Sequence, residues 1–408
     1  MISPRATWFI PLLLAISLLL FSCYPAGRLT CSDPLGCIHL EPGQPLQINY
    51  LLAFSGVLQA YGSDALRGLE IALEDYQSEV RGHPIVLSGE GVSCESQAVL
   101  EAAIKFSLQP NLLGVIGPHC PQDVYSAALA LGNAGMVVIP LGASALQFMD
   151  GPPGIFGLAM DPDYQGRAAA EFATAHQGAH TAALLQDNSL YSSRVARSFE
   201  NAFLSAGGDV LFQSVHLPDE IDLRPTLNQM VGDPPNVIYF PIFERLGDYL
   251  VLQAAEYPHL EGTVLLAGEG LFVDSFPQRA SQAVEGVFVT GLAPRPEGVA
   301  SFLDKWSDRY NELPHSTYQY LAYDAAVILI NATSLVASLQ VNGGLTIGRQ
   351  ALREAILEIR EFPGVSGPIT CQGSFCSVEQ ALGIYQFSPP SASPIASWPP
   401  QLVWRANP

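Results

Sequence analysis

Residues 48–80 read INYLLAFSGVLQAYGSDALRGLEIALEDYQSEV, and the change of period inside them decides the fold. Residues 48–53 are a short apolar run of strand type. Residues 54–62 are a glycine-punctuated turn with one aromatic, Tyr61. From Asp64 the apolar positions fall three or four apart, at Leu66, Leu69, Leu73, Tyr76 and Val80, which predicts one face of a helix. Arg67, Glu70, Glu74 and Ser78 take the other face. A buried strand that feeds a helix through a polar loop opens an α/β sheet. Ligands of such sheets sit beyond the carboxyl ends of the strands, so this loop is a candidate site wall.

Outward from this unit the same alternation continues. Strands are predicted near 84–88, 112–116, 136–140, 182–186, 210–214, 237–240, 264–267 and 286–290. Helices are predicted between them, near 96–108, 122–134, 164–176, 192–206, 223–232, 244–257 and 297–312. Such alternation argues for parallel sheets covered on both faces. Residues 182–207, AALLQDNSLYSSRVARSFENAFLSAG, repeat the opening logic of strand, polar loop with a tyrosine, and amphipathic helix. Two such units suggest two similar lobes, and a cleft between lobes is a preferred place for a small ligand. Residues 318–339 form a long helical stretch broken only by the charge of Asp324, predicted to pack between layers of the core. Residues 24–45 and 389–408 lack a clear pattern and read as a tether and an irregular surface tail.

The chain has 408 residues, 49% of them hydrophobic, enough to bury two cores of ordinary size. Its formal net charge is −20 and its only lysines are Lys105 and Lys305. An acidic chain without a basic run is a poor partner for nucleic acid, and the acidity reads as a solvated surface. At the N-terminus, Arg5 precedes an apolar core at 8–21 that is short for a membrane span of roughly 20 residues and fits a secretory signal. Leu20-Phe21-Ser22-Cys23 resembles the lipobox of bacterial lipoproteins, which implies cleavage before Cys23 and a lipid on its thiol. Residues 1–22 would then be the signal and 23–45 the tether, with the protein outside the cytoplasm on a lipid anchor. Export permits disulfides. The other six cysteines allow fifteen pairings; nearness favours Cys31–Cys37 and Cys371–Cys376, which leaves Cys94 with Cys120. Their spacings do not fit a zinc site, so no metal is expected.

Catalytic constellations are missing from the sequence. It contains no HExxH, GxSxG or P-loop pattern. Gly268-Glu269-Gly270 begins like a dinucleotide fingerprint, but Val273 stands where its third glycine belongs. An enzyme is therefore not expected, and neither is a cofactor.

Six motifs in order carry a resemblance. They are FSGVLQAYGSDALRGLEIALED at 54–75, Cys94-Glu95-Ser96-Gln97-Ala98-Val99 with Val115-Ile116-Gly117-Pro118-His119-Cys120, GMVVIPLGAS at 135–144, Asp187-Asn188-Ser189-Leu190-Tyr191, Glu285-Gly286-Val287, and residues 364–369. Together they resemble the bacterial branched-chain amino-acid binding proteins of ABC transporters, over about 45–387. The resemblance implies a type I periplasmic-binding fold: two doubly wound parallel-sheet lobes joined by three crossovers. The first lobe would be 46–159 plus 293–363 and the second 162–290 plus 365–388, with crossovers near 159–162, 291–294 and 363–366. Ligand would close the lobes by a hinge motion. The family bridge implies Cys94–Cys120.

The resemblance also implies a site. Amino-acid binders hold the α-carboxylate at helix N-termini and free N–H groups, and the ammonium at one acid. The matching positions are Gly142, Ala143 and Ser144 in the loop after a strand of the first lobe, and Glu269 as the ammonium-binding acid. Tyr61, Tyr191 and Phe243 match aromatic walls. At one position the chain departs: Pro121 follows the second bridge cysteine where the family offers a hydroxyl and an N–H, and proline offers neither. Asp123 would satisfy the helix dipole there, so carboxylate capture is weaker on this side. The implied function is delivery of a small polar ligand, an amino acid or a derivative, by a monomer to the transmembrane subunits of an ABC permease. A sensor subunit of the same fold is the alternative, and an enzyme a distant third.

Overall fold

The computed structural model describes residues 31–76, 78–92, 97–119, 124–142, 148, 151, 153–294, 296–378, 381–387 and 398–406. The signal segment, Cys23, Cys94, Cys120, Pro121, Ala143 and Ser144 lie outside the described residues.

Two parallel sheets form the two lobes. In the first, Glu79–Val80, His83–Val92, Leu46–Ala53, Leu112–Ile116 and Val137–Ile139 lie side by side in that order, and all pairings but the first are parallel. The inner strands are nearly continuous apolar runs, as strands buried on both faces must be. In the second, Asp209–His216, Thr181–Asp187, Val237–Phe240, Val264–Ala267 and Phe288–Leu292 run parallel, and Leu382–Gln386 and Gln401–Arg405 add antiparallel strands at one edge. The chain crosses between the lobes three times. It leaves the first through Gly157–Met160, returns after Phe288–Leu292, and re-enters the second through Pro368–Gln372 and Phe375–Val378. This is the expected fold of two doubly wound parallel-sheet lobes with three crossovers.

Several boundaries differ from the sequence reading. The helix Gln59–Asp75 begins inside the expected turn, so Tyr61 stands in its first turn rather than in a loop. Its buried face includes Tyr61, Ala65, Gly68, Leu69 and Ala72, while Val80 belongs to the next strand. The shift follows from close approach. A Cβ at Gly62 would lie 1.8 Å from the Ala53 carbonyl, and one at Gly68 would lie 2.2 Å from the Gln319 carbonyl. Glycine lets the helix sit against its own strand and against the helix Tyr318–Val336. That second helix ends before Ser338–Leu339, which is a strand, and it packs on the first lobe rather than between layers of both.

The expected tether is ordered from Cys31. Cys31 and Cys37 are bridged, Cys37–Leu40 pairs antiparallel with Leu345–Gly348, and Asp33 accepts the Gln350 and Ala351 N–H groups at 3.0 and 3.1 Å. A carboxylate on those free N–H groups caps the helix Arg349–Leu357. Cys371 and Cys376 are bridged across a tight hairpin. The expected irregular tail is likewise corrected, because Gln401–Arg405 is a strand on the second sheet. The alternation Leu402, Trp404 was too short to register against the prolines around it.

Candidate ligand-binding site

The carboxyl ends of the parallel strands face each other across the seam between the lobes. Glu269 stands two residues beyond Val264–Ala267, Phe243 three beyond Val237–Phe240, and Gly142 three beyond Val137–Ile139. Asp187 ends its own strand. Sheet topology therefore delivers these residues to one place, as it does in open α/β sheets generally.

On the second lobe the side chains form a closed ring of hydrogen bonds. The Glu269 N–H donates to the Tyr191 hydroxyl at 3.0 Å, and that hydroxyl donates to Gln165 Oε1 at 3.2 Å. The Gln165 side chain in turn hydrogen-bonds the Glu269 carboxylate. Gln165 is 1% exposed and also reaches the Met160 carbonyl at the first crossover, at 3.5 Å. The ring fixes Tyr191 and Glu269 together, and the Tyr191 ring lies 5.4 Å from that of Phe243. Asp187 holds this corner from below. Its carboxylate accepts the Ser189 N–H at 2.8 Å and the Phe243 N–H, while burial raises its pKa. Ser189 then caps the helix Leu190–Ser205 by accepting the Ser192 N–H at 3.1 Å.

Glu269 is half-buried. Burial pushes its carboxyl up to about 7, and the bond from Gln165 works in the opposite direction. A carboxylate desolvated and poised at such a value is costly alone and gains most from a cation.

On the first lobe the wall is aromatic. The Tyr61 and Tyr318 rings meet edge to face with centroids 4.8 Å apart, and His119 lies 6.0 Å from Tyr318. Burial lowers the His119 pKa to about 4, which keeps the imidazole neutral. Gly142 has φ +61°, and a Cβ there would lie 1.9 Å from the Tyr318 hydroxyl, so only glycine fits against this ring. Across the seam, the Tyr61 hydroxyl donates to the Gly270 carbonyl at 3.1 Å. Burial raises the Tyr61 pKa well above its ordinary value, so it remains a donor. Gly270 is itself constrained, since a Cβ would lie 2.8 Å from the Phe243 ring.

The described residues singled out by sequence, Tyr61, Gly142, Tyr191, Phe243 and Glu269, are thus brought together. Sequence reading missed Gln165, Tyr318, His119 and Gly270. Gln165 stands in the helix Pro162–Glu171, which Asp161 caps by accepting the Asp163 and Tyr164 N–H groups, and nothing local marks a buried glutamine as a partner of residue 269. Tyr318 opens a helix that reads as ordinary core.

Beside this seam lies a cavity of about 470 Å³, lined from one lobe by Gln59, Ser63 and Arg67 and from the other by Glu244, Ser275 and Arg279. Gly56, Gln59 and Ala60, from the loop read as a candidate site wall, line it, but Tyr61, Gly142, Tyr191, Phe243 and Glu269 do not. Its cations are already engaged: Arg67 with Glu312, and Arg279 with Glu244 and Asp248. It is a charge-paired flank of the seam, whereas the half-buried Glu269 offers its charge to an incoming group. Among the described residues, Cys31, Cys37 and His39 cluster closely enough for a metal, but the two sulfurs are bonded to each other and offer no thiolates.

A two-lobed α/β body with its polar residues gathered at the interlobe seam defines a class of ligand-binding proteins that close around a small molecule. Residues 45–391 match the family model of the periplasmic binding proteins, and the chain belongs to that family. Its members are extracytoplasmic substrate-binding proteins. The chain is similar to a Leu/Ile/Val-binding protein homolog from Brucella abortus, with 23% identity over 310 residues that cover 71% of this chain and 77% of the relative. A leucine-binding protein structure from Thermotoga maritima shares the fold with a TM-score of 0.71, at 20% identity, over 88% of this chain and 98% of that one. A branched-chain amino-acid transporter substrate-binding protein from Streptococcus pneumoniae, solved with isoleucine, shares it with a TM-score of 0.72, at 18% identity, over 88% and 100%.

Proposed function

We propose that this protein is a lipid-anchored, extracytoplasmic solute-binding protein that captures an amino acid or a close derivative between its lobes and hands it to an ABC permease. The observation that carries the reading is the Glu269 carboxylate, half-buried at the seam and held in a ring by Tyr191 and Gln165. The ligand ammonium binds Glu269, its apolar part packs against Tyr61, Tyr191 and Phe243, and its carboxyl end lies toward Gly142, Ala143 and Ser144. With Pro121 in place of a donor, the ammonium end contributes more of the affinity than the carboxylate end. The branched-chain names of the relatives support an amino-acid ligand, and the apolar walls agree. The lipobox at Cys23 supports the anchor, and the domain limits inferred from sequence support hinge closure about the three crossovers.

The test is a thermal-shift screen of the mature protein against amino acids, their amides and small carboxylates, followed by calorimetry of the best binder. Removing one member of a desolvated charged pair typically costs about 2–5 kcal/mol. Glu269→Ala should therefore weaken binding by well over tenfold while the empty protein stays folded. Equal affinity in wild type and variant would place the ammonium elsewhere.

A further inference from the structure

Residues beyond the family match tie the two lobes together. The match ends at residue 391, and the described segment 398–406 follows it. Gln401–Arg405 is stitched to the edge of the second sheet along Leu382–Gln386, and the Trp404 ring packs 5.8 Å from Phe172. The Arg405 guanidinium donates to the carbonyls of Ala293 and, at 3.2 Å, Pro294, on the segment that leaves the second lobe. The near end of the segment reaches the other lobe. The Trp398 ring packs edge to face on Phe272 of the second lobe at 5.3 Å, and its indole N–H donates to the Pro314 carbonyl at 2.8 Å.

Pro314 lies in the loop that joins helix Pro296–Tyr310 to helix Tyr318–Val336 of the first lobe. That loop is locked to the first lobe because the buried Asp64 carboxylate accepts the Ser316 N–H and hydroxyl at 2.6 and 2.9 Å. The same loop meets the second lobe beside Trp398. The Asp274 N–H donates to the His315 carbonyl at 2.9 Å, and the His315 imidazole bonds the Asp274 carboxylate at 2.8 Å. Separation of the lobes would break all three contacts, and the indole N–H would lose its carbonyl while its ring stayed on Phe272.

We propose that segment 398–406 is a built-in latch, a strand anchored on the second lobe whose Trp398 indole hooks the 311–317 loop of the first and biases the lobes toward the closed arrangement. The device goes beyond the proposed ligand reading and acts in the empty protein. A lost neutral hydrogen bond shifts an equilibrium by roughly threefold to tenfold. A latch of this kind slows ligand release as well as favouring closure, because it must undo before the lobes part.

The test is amide hydrogen exchange of the unliganded, full-length protein, read at the Asp274 N–H, whose acceptor is on the opposite lobe. Trp398→Phe keeps an aromatic ring on Phe272, gives up part of the indole's packing area and deletes the donor. It should speed Asp274 exchange by about threefold to tenfold and leave the strand Leu382–Gln386 protected as in wild type. Trp398→Ala should speed it further. Unchanged Asp274 exchange in Trp398→Phe overturns the proposal. So does faster exchange confined to 382–386 and 401–405, which would show a role limited to the sheet edge. If Trp398→Ala does not fold, the Phe variant alone decides. No ligand enters the measurement, so the outcome is independent of the amino-acid reading.

Discussion

A single carboxylate concentrates the functional argument. Glu269 sits where strand ends converge, and burial raises its pKa to about 7 from an ordinary value of 4.5. Below that value the empty site holds a proton, and an ammonium ligand must expel it to form a charged pair. Affinity for an amino acid should therefore be level above pH 7 and fall toward tenfold per pH unit below it, with about one proton released per ligand bound. Fold stability moves the other way. The buried charge is a burden above the raised pKa, so the empty protein gains stability as pH drops from about 7 toward the ordinary carboxyl range. Glu269→Gln should abolish both trends. Calorimetry in buffers of different ionisation enthalpy between about pH 5 and about pH 8 checks the proton count. A constant affinity without proton release would mean that no ammonium meets this acid. Glu269, Tyr191, Phe243, Tyr61 and Gly142 could be named from sequence because the ordered motifs of the family resemblance locate them. Gln165 and Tyr318 could not, because their importance arises from contacts with residues more than 100 positions away, Glu269 and Gly142, which no local pattern encodes.

Elements were legible where an apolar run was unbroken or a helical period recurred. The central strands 112–116, 237–240 and 264–267 coincide with the structure because buried parallel strands are unbroken apolar runs. The antiparallel pieces at the crossovers escaped notice because prolines and polar residues interrupt them, so none is an unbroken apolar run. Asp324 shows what a break in pattern can mean. It lies in a largely apolar helix, Tyr318–Val336, and its two carboxylate oxygens accept the Val365 N–H at 2.7 Å, the Ser366 N–H at 2.8 Å and the Ser366 hydroxyl. The charge that interrupts the helix therefore fastens the third crossover to it. A Cβ at Gly364 would lie 2.6 Å from the same carboxylate, so the turn hugs the acid. Burial raises the Asp324 pKa to about 6, against the pull of these bonds. Asp324→Asn keeps the shape but turns one acceptor into a donor that faces other donors. It should cost about 1–3 kcal/mol in urea denaturation, the penalty for a buried donor left unmade. An unchanged midpoint would show that the crossover is held by other contacts.

For the whole molecule, anchoring and closure are separate questions. Cys23→Ala should release the protein from the membrane fraction of its host without altering ligand affinity. Retention of the variant on the membrane would end the lipobox reading. Closure rests on a different atom. The Tyr61 hydroxyl is buried on the first lobe and donates to the Gly270 carbonyl on the second, next to Glu269. In the closed arrangement this bond spans the seam in a dry environment. In an open arrangement water can serve both groups. Tyr61→Phe therefore leaves the Gly270 carbonyl unpaired only when the lobes are shut, and the penalty falls on the closed state alone, at about 1–2 kcal/mol. Neither lobe loses internal packing, because the ring keeps its edge-to-face contact with Tyr318. The variant should melt within a degree or two of wild type, yet show a larger radius of gyration by solution scattering and bind its ligand about fivefold to thirtyfold more weakly. The loss should appear mainly in a faster dissociation rate, since the bond forms after the ligand has entered and must break before it leaves. Weaker binding with an unchanged radius of gyration would assign the hydroxyl to direct ligand contact instead. An unchanged affinity and radius would mean that the lobes close without this bond, leaving the Trp398 hook and the Asp274–His315 contacts to hold the seam.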